Sequence, residues 1–90
     1  MDLQDEYLLD QLEALAQRLG IPVRYEMLSG EESSGAGGLC RVKGRPMVIM
    51  HTQAPLEVKV RILAQSLKQF PLDDLYLKPA LREFLEAPEE

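Results

Sequence analysis

Apolar positions recur along the first twenty residues at helical spacing. Leu8, Leu12, Leu15 and Leu19 follow at steps of four, three and four, which places them on one stripe. Asp2, Asp5 and Glu6 stand at the start of the segment, where the helix dipole favours negative charge, and Arg18 stands near its end. Gly20 supplies a left-handed stop and Pro22 prevents resumption, so a helix is expected over residues 1–20. The period then changes. In residues 21–28, IPVRYEML, the apolar Val23, Tyr25 and Met27 alternate with Arg24 and Glu26, the pattern of a half-buried strand. Periodicity vanishes over 29–38, SGEESSGAGG, where four of ten residues are glycine and a flexible loop is expected. That stretch lacks the lysine and the following helix on which a phosphate-binding loop depends.

Residues 39–52, LCRVKGRPMVIMHT, read as a β-hairpin. Gly44-Arg45 is the expected two-residue turn, glycine first as in a type II′ geometry, with Pro46 at the strand start. That turn sets Val42 opposite Met47 and Cys40 opposite Ile49. Cys40, Val42, Met47, Ile49 and His51 then share one face, expected to be the core side. Residues 55–70 form the second helical pattern, with Leu56, Val60, Leu63, Leu67 and Phe70 on one stripe between Pro55 and Pro71. In residues 71–90 a turn at Asp73-Asp74 and an extended piece at 75–77 lead to a short helix over 79–86. Leu81, Phe84 and Leu85 are expected to dock it on the body. The whole describes a single α+β domain: a small three-stranded antiparallel sheet with an N-terminal helix, a second main helix and a short C-terminal helix.

Composition narrows the partners. A chain of 90 residues with 46% hydrophobic and 28% charged residues suits one folded domain with a thin core. No apolar run approaches the roughly 20 residues that cross a bilayer, and the acidic N-terminus lacks the basic start and apolar block of a signal peptide. Cytoplasmic residence is expected, and Cys40 as the one cysteine fits a reducing compartment. The net charge of −5 disfavours nucleic acid. Arg41, Lys43, Arg45, Lys59 and Arg61 nevertheless cluster in the middle of the chain, as a local basic patch or as charge protecting a hairpin edge. The acidic pairs Asp73-Asp74 and Glu89-Glu90 lack the spacing of a calcium loop.

A second stripe runs along the second helix, apolar at Val58 and Ile62 and polar at Gln65 and Gln69. Residues four apart share a helix face, the spacing at which two histidines of a zinc helix hold one metal beside a glutamate base. The order of LEALAQRLGIPVRYEML, a glycine-rich loop, GGLCRVKGRPMVIM and LEVKVRILAQSLKQF resembles the N-terminal part of the ImmA/IrrE family of zinc metallopeptidases. Members of that family carry a helix reading LAHELGH where this chain has LAQSLKQ. By the resemblance, Gln65 stands at the first zinc-binding histidine, Ser66 at the catalytic glutamate and Gln69 at the second histidine, while Lys68 replaces the glycine. The third metal ligand, from a later helix, has no clear match. The resemblance therefore implies a shortened relative without its zinc site.

One further pair carries chemistry. The expected hairpin register sets Cys40 and His51 diagonally on one face, a thiol–imidazole pair that serves as nucleophile and base or as two metal ligands. The blander assignment makes Cys40 a small buried hydrophobe and His51 a strand-end residue. The favoured expectation is a non-catalytic protein-interaction or regulatory module without cofactor, self-associating or bound to another protein. The alternative is a small enzyme or metal-binding protein using Cys40 and His51.

Overall fold

The structure, a computed structural model, describes residues 3–27 and 37–87. Helix α1, Leu3–Leu19, buries Leu8, Leu12 and Leu15 together with Ala16. It ends as its sequence predicts. Gly20 adopts φ +74°, its amide donates to the Gln17 carbonyl at 3.0 Å, and the Ile21 amide donates to the Ala16 carbonyl at 2.9 Å. This paired closure satisfies two terminal carbonyls and drops Ile21 into the core.

Strand β1 is Val23–Glu26, β2 is Gly37–Val42 and β3 is Arg45–His51. Their order across the sheet is β1-β3-β2. β2 and β3 are antiparallel, whereas β1 runs parallel to β3, Val23 beside Val48 and Glu26 beside His51. The sheet is thus mixed, which corrects the antiparallel expectation. The second strand of the hairpin, not the first, inserts beside β1. Val48 and Met50 on this central strand are fully buried. At the start of β2, a Cβ on Gly37 would collide with the Ile49 carbonyl oxygen, so only glycine allows the two backbones to approach this closely. Gly37 and Gly38 belong to β2 and not to the expected loop, whose residues 29–36 lie outside those described.

The hairpin turn also differs from expectation. Its two central residues are Lys43 and Gly44, at φ +55° and +81°, and Val42 pairs with Arg45. Two successive left-handed residues make a type I′ turn, whose twist matches that of the flanking strands. Cys40 accordingly pairs with Met47 and Leu39 with Val48. The shift relative to the expected register is two residues, so each side chain keeps its face. Cys40, Val42, Met47, Ile49 and His51 do share a face, but it is the outer one. The core takes Val48 and Met50 from the other side.

Helix α2, Leu56–Leu67, follows Pro55 at its N-cap and buries Val60, Leu63, Ala64, Ser66 and Leu67. Its last turn tightens to Phe70, where Gln69 donates to the Ser66 carbonyl and Phe70 to the Leu67 carbonyl, before Pro71. Helix α3, Pro79–Glu86, has proline in its first turn and buries Leu81 and Leu85. Phe84, expected to dock, is instead 36% exposed. Two arginines tie the tail down: Arg18 donates to the Tyr76 carbonyl and Arg82 to the Leu75 carbonyl, both at 2.8 Å. All three helices contribute to one core cluster against the Val48 and Met50 face. No helix among the described residues is long and apolar enough to cross a membrane.

Candidate functional site

The stripe that the resemblance singles out lies on α2. Val58 and Ile62 are half-buried at its start, and Gln65 and Gln69 are exposed at its end. Gln69 directs its side-chain amide at the Gln65 carbonyl one turn back, at 3.4 Å. Ser66, beside them in sequence, points inward and is 3% exposed. Its hydroxyl donates to the Ile62 carbonyl at 2.8 Å, the back-bonding by which a serine settles inside a helix without an outside partner. This trio does not fit a zinc ion. Glutamine amides are feeble ligands compared with imidazole, and the serine hydroxyl is spent on its own helix. Among the described residues no group of three His, Cys, Asp or Glu side chains is placed to hold a metal.

Cys40 and His51 are not brought together. Cys40 pairs with Met47, and His51 lies four residues further along β3, about 13 Å at ~3.3 Å per residue. The diagonal neighbourhood expected from the sequence depended on the displaced turn. The His51 Nδ1 accepts a hydrogen bond from the Gln53 amide at 3.0 Å, so the ring orders the turn between β3 and α2. Cys40 is half-buried on the outer face of β2, across from Met47 of β3.

The basic residues also separate in space. Arg41, Lys43 and Arg45 are exposed around the hairpin turn, where an Arg41 guanidinium N–H lies 3.4 Å from the Gly44 carbonyl. Lys59 sits with its ammonium 5.3 Å from the centre of the Tyr25 ring, beside Met50 at the opposite end of the sheet. The strand length between Arg45 and Met50 is about 17 Å, so the middle of the chain does not form one basic patch.

Lys59 and Tyr25 belong to a cluster with no motif to announce it. The Tyr25 hydroxyl donates to a Glu13 carboxylate oxygen on α1, and Lys59 covers the ring from α2. Burial pushes the phenol well above its ordinary pKa, and the hydrogen bond to Glu13 and the charge of that carboxylate push the same way. Glu13 and Lys59 stand far from Tyr25 in sequence and meet only through the packing of two helices on one strand. A groove of about 340 Å³ runs beside this cluster, lined by Gln17, Ile21, Pro22 and Val23 as well as Glu13 and Tyr25. A second groove, about 300 Å³, opens past the end of α2 between Lys68, Phe70, Leu77, Arg82 and Leu85. Gln65, Ser66 and Gln69 line neither.

The described surface is apolar at several separate points. Tyr76 is 73% exposed, Met27 67% and Val42 43%. Comparison with protein-family models, with curated proteins and with solved structures gives no match for this chain.

Proposed function

We propose that this chain is a non-catalytic protein-interaction or regulatory module, built like a metallopeptidase domain whose zinc site is degenerate. The observation that carries the reading is the state of α2 at the three positions of the resemblance. Gln65 and Gln69 stand on an exposed face, and Ser66 is turned into the body with its hydroxyl committed to Ile62. Neither ligand chemistry nor a carboxylate base stands there. The same reading takes the sheet as the partner-facing side. Its outer face carries Cys40, Val42, Met47 and Ile49, and the helices gather on the other face. The partner is another protein or a second copy of this chain, and the setting is the cytoplasm.

Zinc titration of the purified protein, with elemental analysis and a peptidase assay on unfolded casein, tests this. We expect less than a tenth of an equivalent of zinc after dialysis and no zinc-dependent cleavage. A stoichiometric ion that survives dialysis, or cleavage abolished by a chelator, overturns the reading. The pair of Cys40 and His51 has no geometric support as an alternative, since the hairpin register holds the two apart.

A further inference from the structure

β1 lies at one edge of the sheet, and β3 is the one strand paired with it among the described residues. The Val48 amide donates to the Pro22 carbonyl at 2.9 Å and the Thr52 amide to the Glu26 carbonyl at 3.0 Å. In a parallel ladder the groups aimed at the neighbour recur at every second residue. Pro22, Arg24 and Glu26 therefore face β3 with their backbone groups, and Val23, Tyr25 and Met27 aim theirs at the outer edge. The side chains alternate as well. Val23 and Tyr25, opposite Val48 and Met50, stand on the helix side. Arg24 and Glu26 stand on the outer face and bridge one another at 2.9 Å.

We infer that this edge pairs with the same edge of a second copy of the chain, antiparallel about a two-fold axis at Tyr25, joining two three-stranded sheets into one. The inference rests on the interaction-module reading and names its partner. Charge decides the register. Among the described residues of β1 and its flanks, Val23, Tyr25 and Met27 aim backbone groups outward, so their pairing moves in steps that keep these residues opposite one another. Centred on Tyr25, it sets Tyr25 against Tyr25 and Val23 against Met27 of the second copy, with about six backbone hydrogen bonds. Arg24 then falls opposite Glu26 of the second copy, twice, at the positions where side chains across an antiparallel pair come closest. The next register on one side opposes Arg24 to Arg24, and that on the other opposes Glu26 to Glu26. Both also lose hydrogen bonds. Charges on an edge strand normally hold copies apart; in the order Arg24-Tyr25-Glu26 they do so in both neighbouring registers and attract in the central one. That register also places Met27 of the second copy, 67% exposed in the single chain, against Val23 and the groove formed with Gln17, Ile21 and Pro22.

Sedimentation equilibrium of the full chain in low salt, across about 10 to 500 μM, tests the pairing. The contact is well below the ~1,200 Å² of a standard interface, so dimer is expected only on the order of 100 μM. Arg24→Glu alone and Glu26→Arg alone should each raise the dissociation constant at least about tenfold. An equimolar mixture of those two variants should associate again, because each then presents the charge the other lacks, and R24E/E26R should dimerise like the parent. Far-UV circular dichroism confirms folding. If either reversal fails to fold, Arg24→Gln and Glu26→Gln replace them, with a smaller weakening expected. A parent that stays monomeric overturns the inference. A dimer indifferent to both single reversals also overturns it while leaving the interaction-module reading in place, and stoichiometric zinc would strike that reading alone.

Discussion

Tyr25 holds its phenolic proton against the Glu13 carboxylate beneath the Lys59 ammonium. Burial, then the hydrogen bond and charge of Glu13, raise its pKa in the fold above the value near 10 that an unfolded chain shows. The folded state therefore binds this proton more tightly than the unfolded state. The stability that follows is complete below about pH 10 and is lost as pH climbs through the raised value. Because Tyr25 is 39% exposed, solvent screening tempers the effect. Urea denaturation at pH 8 and pH 11 should show a larger loss of stability for the parent than for Tyr25→Phe. Equal losses would mean that the fold does not raise the pKa of the phenol. None of this was legible in the sequence, where Tyr25 reads only as one apolar position of an alternating strand. Ser66 was half legible. Its place in the site with the two glutamines is implied by the resemblance, but its inward direction and its bond to Ile62 depend on which stripe of α2 meets the core.

At the scale of elements, the two main helices were legible because each carries a leucine stripe closed by a residue that stops it, Gly20 for α1 and Pro71 beyond α2. The hairpin was legible in its existence but not in its turn. Gly44 can open a II′ turn or close a I′ turn, and the sequence leaves Lys43 to decide. The structure puts Lys43 at φ +55°, a left-handed conformation that an ordinary side chain adopts at a cost of ~1–2 kcal/mol. Asparagine tolerates that region, so Lys43→Asn should stabilise the protein by roughly 0.5–1 kcal/mol, seen as a higher urea midpoint with an unchanged slope. A lower midpoint would contradict the I′ turn. Strand order was hidden for a related reason. Alternation assigns faces but does not say which hairpin strand lies beside β1. The clue was the unbroken run of Met47, Val48, Ile49 and Met50, since a strand flanked on both sides is apolar on both faces more often than an edge strand is.

Taken as one molecule, the protein has a core whose centre and margin are held differently. Leu12 of α1, Leu63 of α2 and Met50 of β3 are fully buried and draw on three elements at once. The margin is α3, which sends in Leu81 and Leu85 and is otherwise fastened by Arg82 to the Leu75 carbonyl and by Lys78, at its N-cap, to Tyr7 of α1, while Arg82 also pairs with Glu86 within the helix at 3.6 Å. The ion pair is exposed at its glutamate end and contributes little. Loss of a central leucine leaves a cavity that neighbours from all layers must close, while a void under α3 can be filled by a small shift of one short helix. Leu63→Ala should therefore cost about 3–5 kcal/mol and Leu85→Ala nearer 2 kcal/mol. A domain of this size is stable by roughly 5–13 kcal/mol, so the first change removes a large part of the total and the second does not. The same asymmetry sets the order of opening. Amides of α3 should exchange with solvent before those of α2 and β3, because the short helix detaches without exposing Leu12, Leu63 or Met50. Chemical denaturation of the two variants, together with native-state hydrogen exchange of the parent, checks both statements. Equal costs, or α3 amides protected as long as those of β3, would place the tail in the core on the same footing as the two long helices.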